Sequence, residues 1–95
     1  MMTNQVIAKE YIRCFCNGDI DGLEPLLAPD LRFTGTLHAY HSSSEYLESL
    51  REDPPEKCGC KVISITEKDD TVAIFYEYHK PERVMKIAQL FRIRV

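Results

Sequence analysis

Gln89 interrupts an otherwise apolar row. Met85, Ile87, Gln89, Phe91, Ile93 and Val95 recur at every second residue or at multiples of it, so in an extended strand they share one face. An amide on a buried face needs hydrogen-bond partners, because leaving it unpaired costs about 1–3 kcal/mol. Another side chain, a trapped water or a ligand would serve. Tyr11 is a second polar handle, a phenol on the apolar stripe of the first helical segment. Its hydroxyl is satisfied either by backbone or at the wall of a cavity. A Tyr11–Gln89 hydrogen bond fits both readings. Donors of this kind orient a ligand oxygen and leave its protons in place.

His38 and His41 are the candidates for proton transfer. They bracket Ala39-Tyr40 in a connecting segment, where function often lies, and imidazole titrates near neutral pH. No third ligand accompanies them, so no metal is expected. Glu77 and His79 read as a polar pair on one strand face, Glu52-Asp53 as a solvated helix end and Asp69-Asp70 as a turn. The four cysteines form two C-x-C pairs, Cys14/Cys16 and Cys58/Cys60. Helical residues two apart point in widely different directions, which separates the first pair. The second pair opens a strand but lacks the C-x2-C spacing of zinc sites. A structural or inert role is expected for all four, with no metal and no cofactor.

The elements that must hold these groups follow from periodicity. Residues 5 to 17 read as an amphipathic helix with Ile7, Ala8, Tyr11, Ile12 and Phe15 on the buried stripe, and Asn17-Gly18 stops it. A short helix capped by Asp19 or Asp21 carries Leu23, Leu26 and Leu27 and ends at Pro29. From Leu31 the period becomes two. Leu31, Phe33, Gly35, Leu37 and Ala39 then face one way along a single first strand. Ser42 with Glu45 fits a capping box for a third helix, whose apolar side is Tyr46, Leu47 and Leu50. Pro54-Pro55 prevents it from continuing.

A meander completes the pattern. Cys60 to Glu67 alternates around Ile63 and Ile65, Lys68-Asp69-Asp70 turns, Thr71 to His79 returns, and Val84 to Val95 runs back. The middle strand is apolar at both parities, Val72, Ile74 and Tyr76 against Ala73 and Phe75, so both of its faces are expected to be covered. Three N-terminal helices on an antiparallel sheet make an α+β domain.

Ninety-five residues supply one core and hence one domain, residues 1–95. A net charge of −3 and a pI near 5.6, with no basic cluster, argue against nucleic acid and anionic membrane as partners. No apolar run approaches the roughly 20 residues of a membrane span, and no secretory segment follows Met1. The expected location is cytoplasmic. The chain stops inside a strand, which reads as an incomplete C-terminus.

Tyr11-Ile12-Arg13-Cys14-Phe15, Asn17-Gly18-Asp19-Ile20-Asp21-Gly22-Leu23 and Leu26-Leu27-Ala28-Pro29-Asp30 together resemble the start of nuclear transport factor 2-like domains, the superfamily of SnoaL-like cyclases and ketosteroid isomerases. Ser42-Ser43-Ser44-Glu45-Tyr46-Leu47 and Ala88-Gln89-Leu90-Phe91-Arg92 fall where such domains place a third helix and a late strand. The resemblance implies a cone-like curved sheet around a pocket, with one more strand after Val95. In the isomerases a helix Tyr and a protonated Asp form an oxyanion hole and a second Asp is the base. Tyr11 matches the first and Gln89 stands at the second, while Gly35 occupies the base position and has no side chain to do that work. The Asp-Arg-Asp set of the related epoxide hydrolases is not visible.

These readings converge on a domain that binds a small hydrophobic molecule bearing one polar group, with Tyr11, Phe15, Phe33, Gln89 and Phe91 lining the pocket. An isomerase, cyclase or hydrolase using His38 or His41 as base is the enzymatic alternative. A dimeric assembly module with a vestigial pocket is the third. A homodimer through the outer sheet face is expected, because a contiguous exposed apolar patch usually marks an interface.

Overall fold

A computed structural model describes residues 3–35 and 38–94. Leu37 and Val95, assigned above to strand faces, lie outside the described residues.

Helix α1 (Asn4–Cys16) begins where the Thr3 hydroxyl accepts the Val6 amide at 3.2 Å, satisfying one donor of the first turn. It ends at Asn17, and Gly18 follows with φ +67, a left-handed conformation that a side chain would oppose. Asp19 then caps α2 (Ile20–Leu23) by accepting the Gly22 amide, and a 3-10 turn carries Pro25 over Glu24–Leu26. Helix α3 (Ser43–Glu52) starts at Ser42, whose hydroxyl accepts the Glu45 amide at 3.1 Å, as the capping pattern predicts.

Periodicity predicts one strand over residues 31 to 39, and the structure has a hairpin instead. Strand β1 (Phe33–Thr34) pairs antiparallel with β2 (Ala39–Tyr40), and the Gly35 amide donates to the His38 carbonyl at 2.8 Å. Two hairpin arms carry the same two-residue period as one long strand, so alternation alone does not reveal the turn between them. The consequence is a changed face. Ala39 pairs with Thr34, whereas Phe33 pairs with Tyr40, so Phe33 and Ala39 do not point the same way.

The meander forms a second sheet of β3 (Gly59–Lys68), β4 (Thr71–His79) and β5 (Val84–Arg92), in the order β3-β4-β5 and antiparallel throughout. Asp69 makes the first turn with φ 55, which a short acidic side chain tolerates. A bulge lies between Val62 and Ser64. Ile63 is thereby displaced to the outside at 56% exposure while Ile65 faces the core, so these two do not share a face as plain alternation implies.

The core lies between α1, α2, α3 and one sheet face. Val72, Ile74, Tyr76 and Tyr78 of β4 are buried there with Ala8, Tyr11, Ile12, Leu23, Tyr46 and Leu47. Met85, Ile87, Gln89 and Phe91 sit on the same side of β5, while Ala88 and Leu90 point out. The register that the Gln89 argument requires is therefore present. The covering expected on both faces of β4 is not, since Phe75 is 50% exposed on the outer one. Packing of the helices on this open, curved antiparallel sheet gives the α+β cone.

One covalent link is not legible in the cysteine spacing. Cys16, at the end of α1, is disulfide-bonded to Cys60, near the start of β3, with Cα atoms 6.2 Å apart and a sequence separation of 44. On loop-closure entropy alone such a staple stabilises by about 4 kcal/mol. Cys14 and Cys58 carry free thiols.

Candidate functional site

Helix α1 lies across β3 and β4, and the inner side chains of β5 are left half-buried. Gln89 stands in the middle of that half-covered strip. The Tyr76 hydroxyl donates to Gln89 Oε1 at 3.1 Å. Gln89 also lies near enough to the Tyr11 hydroxyl to lower its pKa, and Tyr11 in turn is hydrogen-bonded to the Tyr46 hydroxyl from α3. Four side chains from α1, α3, β4 and β5 thus form one chain of polar contacts across the helix–sheet interface. No buried side-chain nitrogen or oxygen among the described residues lacks a partner.

Aromatic rings surround it. Phe91 meets Tyr11 edge-on with centroids 5.1 Å apart, and Phe33 stacks on Tyr46 at 5.2 Å. Tyr40 leans on both Phe33 and Tyr46. Phe15 stacks on the other side of Tyr11 at 6.2 Å and packs edge-on against Tyr78, which places it toward the disulfide end of the interface. The residues named from sequence therefore divide. Tyr11, Gln89 and Phe91 come together, Phe33 joins through Tyr46, and Phe15 sits behind.

Burial is the leading cause that raises the pKa of Tyr11, Tyr46 and Tyr76 above the ordinary phenol value. For Tyr11 the hydrogen bonds to Tyr46 and Gln89 offset part of that rise, whereas the nearby Tyr11 pushes Tyr46 further up. All three are neutral near pH 7 and act as donors. Counting hydrogens makes this concrete. Gln89 Oε1 can only accept, so Tyr76 spends its proton there. Tyr11 and Tyr46 hold two hydroxyl protons and need one for the bond between them. The second hydroxyl proton has the free lone pair of Gln89 Oε1 beside it, which leaves the Gln89 amide hydrogens as donors. The cluster can present a donor to an oxygen acceptor and contains no base.

His38 and His41 lie elsewhere. Both are exposed; the His38 ring stacks near Tyr40 at 6.2 Å, and His41 Nδ1 is 3.2 Å from an Arg32 guanidinium nitrogen. Neither hydrogen-bonds to the phenol–amide cluster. Gly35, which the resemblance sets against the isomerase base, is exposed, and its amide donates to the His38 carbonyl. His79 Nε2 is 3.1 Å from Glu77 Oε1, the polar pair that the strand spacing suggests. Among the described residues no three His, Cys, Asp or Glu side chains converge on a point where a metal could be held. No helix among them is long and apolar enough to cross a membrane.

Tyr46 and Tyr76 were legible from sequence only as core residues. The available signal was chemical: a Tyr in place of Phe on a buried face brings a hydroxyl that needs a partner.

Solved structures with this architecture include nuclear transport factor 2-like proteins. An NTF2-like protein of unknown function from Cytophaga hutchinsonii superposes with a TM-score of 0.82 at 15% identity, covering 99% of this chain and 81% of that one. A candidate ketosteroid isomerase from Kribbella flavida gives 0.82 at 14% identity, covering 96% and 68%. An LEH-like epoxide hydrolase from M. tuberculosis gives 0.74 at 13% identity, covering 93% and 71%. Identities this low show a common fold. The sequence itself matches the SnoaL-like domain family over residues 8–95, and the chain belongs to that family. No curated protein matches it.

Proposed function

We propose that the domain binds a small hydrophobic molecule through one acceptor oxygen, held by the Tyr11–Tyr46–Gln89–Tyr76 cluster. The supporting observation is the position of Gln89, an amide on the half-covered inner face of β5, flanked by Ile87 and Phe91 and tied to two phenols. Aromatic and aliphatic walls suit a ring system, and the amide and phenol donors suit a ketone or similar group. Two structural neighbours are described as an isomerase and an epoxide hydrolase. The same chemistry here would need a base, and His38 and His41 stand apart from the cluster.

Thermal denaturation in the presence of steroids and of small aromatic or terpenoid ketones tests the reading. A ligand at a hundred times its Kd stabilises by about 2.7 kcal/mol, which for a domain of this size raises Tm by about ten degrees or more. Gln89→Leu should abolish most of that shift. If none of these compounds moves the wild-type Tm, the binding reading fails. Efficient isomerisation of a hit that survives replacement of His38 and His41 would reveal a base and favour the enzyme.

The outer sheet face supports a second expectation, a two-fold homodimer. Ile63, Phe75 and Leu90 are 56%, 50% and 70% exposed there, and a depression of about 300 Å³ lies between Ile63, Phe75 and Ala88. Glu77 and Lys86 pair across the strands beside it, so a rotated copy would meet both signs of charge.

A further inference from the structure

The two C-x-C pairs meet at one place in the fold. Cys16 is bonded to Cys60, and the Cys58 amide donates to the Cys16 carbonyl at 3.0 Å. Cys58 and Cys60 are both half-buried against the core, and the Cys58 thiol, which donates to Glu56 Oε2 at 3.9 Å, lies by the hydroxyl of Tyr78, the inner-face residue paired with Cys60. The free thiol and the disulfide therefore occupy the same side of the strand. Cys14 is directed elsewhere, toward Glu10, Arg13 and the Asp19–Gly22 turn.

We propose that Cys58-Gly59-Cys60 is an intramolecular thiol–disulfide exchange motif that unfastens α1 from β3. The Cys58 thiolate attacks Cys60 Sγ, the half-buried end of the disulfide, while Cys16 at its other end is fully buried. The Cys58–Cys60 bond forms as the Cys16–Cys60 bond breaks. The electron pair leaves on Cys16 as thiolate, which takes up from solvent the proton that Cys58 released. The oxidation level is unchanged, so no external oxidant or reductant enters.

The product requires the segment to leave extended geometry. Residues two apart in a strand are about 6.4–6.8 Å apart at Cα with nearly parallel side chains, whereas a disulfide brings the Cβ atoms to about 3.5–4.5 Å. Gly59 separates the two cysteines and has open space where a side chain would stand, so the segment can contract without a clash. Release would free the end of α1 one turn beyond Tyr11 and next to Phe15.

The test uses the whole chain without reductant. Protein held at mildly alkaline pH is quenched with iodoacetamide, digested unreduced, and mapped by mass spectrometry. The expected result is label on Cys16 together with a Cys58–Lys61 peptide two hydrogens light. Cys58→Ser keeps the staple and removes the attacking thiol, and should lower Cys16 labelling on the order of ten-fold. A wild-type map with Cys16–Cys60 intact and label confined to the free thiols Cys14 and Cys58 would overturn the proposal, as would equal Cys16 labelling in Cys58→Ser. Neither readout depends on ligand binding.

Discussion

The two faces of β4 are made of similar residues in different surroundings. On one, Val72, Ile74, Tyr76 and Tyr78 are buried under the helices; on the other, Ala73 and Phe75 meet solvent together with Ile63 and Leu90 of the neighbouring strands. Apolar character at both parities identified a strand with something to cover on each side. It did not say that the chain's own helices cover only one. The inner face is also where the polar atoms are organised, with each buried hydroxyl or amide answered by another. Among the described residues the outer face shows no such network, and its Glu77 and His79 form a polar pair beside the apolar patch.

Truncation separates the faces most strongly. Ile74→Ala removes buried methyl groups from a fully enclosed site and should destabilise by about 2–5 kcal/mol in urea unfolding. A loss below 1 kcal/mol would mean that the helices do not close over β4. Alkaline titration sharpens the contrast next. Burial raises Tyr76 and holds Tyr78 up at about 12, so the folded state keeps protons that the unfolded chain gives up near pH 10. The stability held by these phenols is complete below pH 10 and is lost as pH rises from 10 toward 12. Phenolate absorbance should accordingly appear together with unfolding, and early, non-cooperative ionisation would show the inner face to be wet. The smallest effect on folding belongs to Phe75→Ser, expected within about 0.5 kcal/mol for the single chain. Its effect should appear in sedimentation instead, as conversion of dimer to monomer. Wild type that sediments as monomer at tens of micromolar would remove the outer face from consideration as an interface.

Helix caps and the meander were readable because their signals are local. Ser42 with Glu45, Asp19 before Gly22, and Asp69 in a two-residue turn each act over three or four positions. The hairpin at Gly35 was not readable, because both arms keep the period of a single strand. The bulge at Ile63 was equally silent, since one extra residue changes parity without changing composition. Within the candidate site, the row on β5 singled out Gln89, and the first helix singled out Tyr11. Their partners Tyr46 and Tyr76 come from distant elements and depend on how helix and sheet are docked. The Cys16–Cys60 pairing is the same kind of long-range fact, and spacing within each C-x-C pair concealed it.

That bond divides the polypeptide topologically. The chain between Cys16 and Cys60 becomes a covalent ring that holds α2, the short hairpin and α3, while α1 and nearly all of the meander are tails outside it. The meander pairs strands that are neighbours in sequence, so its contacts are local and can form early whatever the state of the ring. The ring acts instead on the denatured ensemble, keeping the end of α1 near the first residues of β3 before either is ordered. Docking of helices onto sheet is the long-range step of assembly, and the oxidised chain begins it with one of its distant pairs already joined.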